Sequence, residues 1–176
     1  RNGPIVAGQR AQAERTITMP IKVGDTLPNT TFRVMTAEGP KPKPSEEVFK
    51  GRKVVLFAVP GAFTPTCSKN HLPGFVKNAS AIKAKGIDAI AVTAVNDPFV
   101  MAAWKDAAGS DDIEFLADGS ADFAKAVGLE LDASAGGLGI RSKRYCMVVD
   151  DGVVKSLAIE DAPGSVMPMD SAIAVM

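Results

Sequence analysis

The apolar positions of this chain change their period several times, and each change marks an element. Lys53–Val59 is an almost unbroken apolar run between Gly51 and Pro60-Gly61, the pattern of a strand covered on both faces of its sheet. After a Pro60–Thr66 loop, Leu72, Phe75, Val76, Ala79 and Ile82 recur at helical spacing up to Gly86, which predicts an amphipathic helix. Ile87–Val95 reads as a second buried strand, Pro98–Ala108 as a second helix with proline at its start, Ile113–Leu116 as a third strand and Ala121–Val127 as a third helix. Upstream, Thr31–Thr36 is a short strand, the proline-rich Gly39–Pro44 reads as turn and extended chain, and Ser45–Lys50 as a short helix. Near the end, Tyr145–Val149 and Val153–Ile159 flank Asp150-Asp151-Gly152, a turn signal that predicts an antiparallel hairpin. Strands alternating with helices imply an α/β protein with a mixed central sheet flanked by helices. We expect one domain over residues 19–176. Residues 1–18 carry three Arg and one Glu and no apolar h-region, so they read as a leader outside the fold.

Composition narrows the function classes. Twenty Lys and Arg balance twenty Asp and Glu, leaving no basic excess for nucleic acid or an anionic membrane. The apolar runs are strand-sized, far below the roughly 20 residues that span a bilayer. Two cysteines and one histidine among 176 residues offer neither a disulfide framework nor a multi-histidine metal site, so no metal or cofactor is expected. Few cysteines suit a reducing compartment, the cytoplasm or an organelle entered after removal of an N-terminal segment.

Of the two thiols, Cys67 has the more suggestive position. Pro60-Gly-Ala-Phe-Thr-Pro-Thr-Cys67 joins the best central strand to the first amphipathic helix, where α/β proteins commonly place chemistry. In the first helical turn, unpaired backbone N–H groups and the positive end of the helix dipole favour a thiolate. That contribution is about 0.3–1 kcal/mol, at best ~2, whereas lowering a thiol pKa from ~8.5 to ~6 takes about 3.4 kcal/mol. A cationic side chain is therefore expected nearby. Ionisation itself raises the reactive fraction only ~30-fold, against enzymatic accelerations of ~10⁶ or more. If the thiolate cleaves an O–O bond, donors around the departing oxygen carry the larger share, with Thr64 and an arginine as candidates. The competing reading of Cys67 from position alone is an inert core thiol.

The run Val59-Pro-Gly-Ala-Phe-Thr-Pro-Thr-Cys-Ser-Lys-Asn-His-Leu-Pro-Gly-Phe75 resembles the active-site segment of the peroxiredoxins. It is most similar to the fifth subfamily, with its type II plant and glutaredoxin-fused bacterial members. Three further stretches match in order: Met19–Leu27, Ala94–Trp104 and Arg141–Val149. The resemblance implies a thioredoxin-like fold and a thiol peroxidase acting on hydrogen peroxide and alkyl hydroperoxides. It makes Cys67 the peroxidatic cysteine, Thr64 the hydroxyl that holds the peroxide, Pro60 a shield for the thiol and Arg144 the arginine that steadies thiolate and peroxide. His71 matches a position near the pocket, the alternative being a structural hydrogen bond at a helix kink by Pro73-Gly74; Arg141 either orients the acidic or backbone neighbours of the site or is a solvent-exposed loop arginine. The subfamily also implies a homodimer to which Asp97, Pro98 and Phe99 contribute.

One departure matters. Neither Pro163–Met169 nor Ala91–Ala94 holds the resolving cysteine that some relatives carry there, and the remaining thiol, Cys146, lies 79 residues after Cys67. In an alternating strand it shares a face with Arg144 and Val148. A bridge to Cys67 needs Cα atoms within about 7 Å, which a residue fixed mid-strand rarely meets, so a core thiol is expected. This favours a one-cysteine cycle in which an external thiol, glutathione with glutaredoxin or else thioredoxin, resolves the sulfenic acid. A redox sensor or holdase switched by Cys67 oxidation is the alternative function. A disulfide reductase is disfavoured because Ser68-Lys-Asn70 follows Cys67 without a Cys-x-x-Cys motif.

Overall fold

A computed structural model describes residues 19–65 and 72–160. The expected leader, Cys67, His71 and the Pro163–Met169 tail lie outside the described residues. In chain order the elements are β1 (Thr31–Thr36), β2 (Gly39–Pro44), α1 (Ser45–Phe49), β3 (Lys53–Ala58), α2 (Leu72–Lys83), β4 (Ala89–Ala94), α3 (Pro98–Ala108), β5 (Ile113–Ala117), α4 (Asp122–Ala126), β6 (Glu130–Asp132), β7 (Ile140–Ser142), β8 (Tyr145–Asp150) and β9 (Val153–Ile159). Seven strands form one sheet in the order β2-β1-β5-β4-β3-β8-β9. β3, β4 and β5 run parallel, while β1 and β8 pair antiparallel on either side of them. This is the thioredoxin-like arrangement of a mixed sheet with helices on both faces.

The two faces explain the unbroken apolar runs. Val55, Phe57 and Val59 point into a core shared with α2 and α3 through Phe75, Ala79, Ile82, Met101 and Trp104. Val54, Leu56 and Ala58 point the other way, toward Val48, Phe49 and Phe123 of α1 and α4. A strand covered twice has no polar face to present, so the two-residue period vanishes from its sequence. The Phe57 and Phe75 rings stack at 4.0 Å between centroids, inclined by only 4°, and pin α2 across the sheet. The helix runs unbroken through Pro73 and Gly74 from Leu72.

Two segments differ from the reading of the sequence. Gly39–Pro44, expected as turn and extended chain, is an edge strand paired with β1 from Thr36↔Gly39 to Thr31↔Pro44. Its three prolines alternate, so their missing N–H groups all fall at positions that make no ladder bond, and the outer edge is blunted against further pairing. The β6–β7 hairpin carries no usable period in strands of three residues. It holds Arg141 opposite Leu131. Ile21 N–H also donates to Val127 O at 2.8 Å, and Gly128, at φ +69°, lies so close that a Cβ would fall 2.9 Å from the Met19 carbonyl oxygen. The segment from Met19 is thus packed against the end of α4.

Replacing Phe75 by Ala removes one ring of the stack and leaves a cavity under α2. The expected loss of unfolding free energy in a denaturant titration is about 3–5 kcal/mol; a loss below about 1 kcal/mol would show that the stack does not hold the helix.

Candidate active site

The register of the central strands determines which residues meet. β8 runs antiparallel to β3, and Tyr145 pairs with Ala58, so Arg144 comes level with Val59 at the end of β3, beside Pro60. β4 runs parallel to β3, and its end is tied to the same place by Val59 N–H donating to Thr93 O at 3.2 Å. The Pro60–Thr64 loop and Arg144 therefore share one end of the sheet, although 80 residues separate Thr64 from Arg144.

The loop is held in a defined shape. Ala62 N–H donates to the Asn96 side-chain oxygen at 2.9 Å, and the Thr64 hydroxyl donates to Gly61 O at 2.8 Å. Phe63 adopts a left-handed backbone conformation at φ 62°, which costs a non-glycine residue about 1–2 kcal/mol and persists only where surrounding bonds enforce it. The lone pairs of the hydroxyl are left to accept a further hydrogen bond.

The two arginines play different parts. Arg141 Nε donates to Leu138 O at 2.8 Å, and its Nη1 donates to Val95 O at 3.2 Å. The guanidinium also crosses Gly61 so closely that a Cβ there would lie 3.1 Å from Nη1 and 3.2 Å from Thr64 Cγ2. Of the two readings of Arg141, the structure favours the one in which it orients backbone neighbours: it fastens the β6–β7 hairpin, the end of β4 and the Gly61 loop together. Arg144 is only 4% exposed and forms an ion pair, Nε to the Glu160 carboxylate at 3.3 Å. A buried cation, paired with a buried carboxylate, is therefore present at this end of the sheet.

Asp97 caps α3, its carboxylate accepting from Val100 N–H at 2.8 Å, with Pro98 at the first helical position. Phe99 is 65% exposed and Phe63 51% exposed. Asn96 and Glu160 were not anticipated as site residues. Asn96 lies inside a matched stretch but has no signal of its own, and Glu160 is brought to Arg144 only by strand register.

Residues 22–173 match the Redoxin family. The chain is 50% identical over 152 residues to the chloroplastic peroxiredoxin-2E-2 of Oryza sativa subsp. japonica, covering 83% of this chain and 68% of the relative. It belongs to the peroxiredoxin family. The chloroplastic peroxiredoxin-2E of Arabidopsis thaliana is 45% identical, over 92% of this chain and 71% of its own length. Among solved structures, the reduced Prx3 of Vibrio vulnificus in complex with H2O2 superposes with a TM-score of 0.83 at 51% identity, over 89% of this chain and 99% of that one. The resemblance to type II peroxiredoxins is thus correct, and peroxiredoxins are thiol peroxidases, oxidoreductases that act on hydroperoxides with a thiol reductant.

Cys146 sits in β8 between Phe57 of β3 and Ala158 of β9, fully buried. Burial pushes its thiol up to about 12. A folded value above the unfolded one means that its contribution to stability is complete below the ordinary thiol range and is lost as pH rises toward 12. Native protein at pH 8 should leave Cys146 unalkylated by iodoacetamide for as long as it stays folded, as read by peptide mass mapping. Labelling of Cys146 at the rate of an exposed thiol would contradict its burial.

Proposed function

We propose that this peroxiredoxin reduces hydrogen peroxide and alkyl hydroperoxides at Cys67 by a one-cysteine cycle. The observation that carries the reading is the buried Arg144 just before β8, level with Val59, the residue that follows β3, because it supplies the cation that a helix terminus alone cannot replace. The Cys67 thiolate attacks the terminal peroxide oxygen. An S–O bond forms, the O–O bond breaks, and the departing alkoxide or hydroxide takes up a proton to leave as alcohol or water. Arg144 donates to the oxygens as charge moves onto them. Thr64 accepts from the peroxide O–H and so aligns the O–O axis with the sulfur. Pro60 shields the thiol from solvent, Arg141 keeps the loop in place, and His71 is a neighbour of the pocket.

The sulfenic acid then condenses with an external thiol, releasing water, and a second thiol reduces the mixed disulfide. Glutathione with glutaredoxin is the preferred reductant, and thioredoxin is the other. The burial of Cys146 between two paired strands supports an external thiol, since an internal bridge would require opening both ladders. The exposed Phe63 and Phe99 support the homodimer typical of the family, formed across the loops that carry Asp97, Pro98 and Phe99. The word chloroplastic in the names of two relatives favours an organelle over the cytoplasm as the compartment.

Stopped-flow mixing of reduced protein with one equivalent of hydrogen peroxide, followed by Trp104 fluorescence and thiol loss, tests the first step. A phase orders of magnitude faster than a free thiol is expected, absent in Cys67→Ser and slowed on the order of 10²-fold in Thr64→Val. A rate like that of an ordinary cysteine would refute the reading. For the second step, Cys146→Ser should sustain turnover with glutathione and glutaredoxin; loss of turnover with the first oxidation intact would identify Cys146 as the resolving thiol instead.

A further inference from the structure

We infer that Glu160 is a positioning residue for peroxide reduction, its carboxylate holding the Arg144 guanidinium by the Nε edge at the loop end of the sheet. The inference rests on the role given to Arg144 above. Val59, Arg144 and Glu160 each lie one residue beyond three adjacent strands, in one row, and the row is closed by Glu160 N–H donating to Arg144 O at 3.0 Å. The Glu160 side chain is 7% exposed and the Arg144 side chain 4%, so neither charge is screened by solvent and each stabilises the other's burial.

The chemistry of the group explains why the contact matters. A guanidinium is planar, with one donor at Nε and four on the terminal nitrogens. The Glu160 carboxylate stands 3.3 Å from Nε as an ion pair, and its charge draws that edge of the guanidinium toward β9 and so biases the direction in which the terminal N–H groups point. An arginine without that anchor would sample several orientations, and a donor misplaced by about 1 Å can cost on the order of 10²-fold in rate. The carboxylate exacts an electrostatic cost, because its charge offsets part of the field that Arg144 exerts on a thiolate. Glu160 therefore trades cationic strength for orientation.

Glu160 also occupies this place through a single irregularity. The β8–β9 ladder slips by one residue between Val148 and Val149. Without the slip Ile159, not Glu160, would stand opposite Arg144. The bulge thus delivers an acidic side chain, in place of an apolar one, to the buried arginine.

The test is a mutant cycle on the rate of Cys67 oxidation by hydrogen peroxide, measured by stopped flow at pH 9, where thiolate fraction no longer limits. Glu160→Gln keeps the shape and an oxygen acceptor and is expected to slow the step by about tenfold, and Glu160→Ala by on the order of 10²-fold. In an Arg144→Ala background both changes should leave the rate no lower than Arg144→Ala alone, because a residue that acts through Arg144 has nothing left to orient. The thiolate midpoint, followed at 240 nm, should fall in Glu160→Gln as a negative charge is removed. Equal losses in both backgrounds, or no loss in either variant, would overturn the inference. If Glu160→Ala does not fold, Glu160→Gln decides on the same criterion. Failure of the underlying reading has a different signature: Arg144→Ala would then oxidise as fast as wild type.

Discussion

β3 is hydrogen-bonded on both sides and covered on both faces, and the rest of the molecule is arranged around that constraint. A strand in that position cannot slip, since a shift of one residue would exchange Val55, Phe57 and Val59 with Val54, Leu56 and Ala58 between two differently shaped cores. Its end is therefore a fixed point. The parallel partner β4 brings Thr93 and then Val95 and Asn96 to that point, the antiparallel partner β8 brings Arg144, and the chain leaving β3 supplies Pro60 through Thr64.

Rigidity at that end is converted into chemistry by a small number of polar bonds. Asn96 holds Ala62, Thr64 holds Gly61, and Arg141 clasps Val95 and Leu138 while lying over Gly61. Each bond commits a side chain to backbone geometry. The strained Phe63 shows that the loop conformation is imposed from outside. Such preorganisation is what a thiol peroxidase needs, because the thiolate itself accounts for little of the acceleration and the placement of donors and acceptors for most of it.

The two thiols of the chain illustrate how position divides their fates. Cys146 lies between paired strands with its ionisation suppressed by burial, so it behaves as a small apolar side chain. Cys67 stands in the sequence between β3 and α2, after the loop just described, and its role is the one proposed above.

The amino-acid sequence by itself determined the elements whose pattern is carried by many residues. The buried run Lys53–Val59, the helix from Pro98 to Ala108 and the hairpin about Asp150-Asp151-Gly152 all stand close to where periodicity and turn chemistry put them, because burial on a face repeats along the chain and leaves a readable period. The active-site motif was readable for a different reason: its residues are contiguous from Pro60 to Cys67. Tertiary structure alone decided what depends on register between distant segments. The pairing of the proline-rich β2 needed an edge position, the clasp of Arg141 on Val95 needed the β6–β7 hairpin, and the meeting of Arg144 with Glu160 needed a one-residue bulge. A single ladder slip changes a neighbour without changing composition or period, so no local pattern announces it.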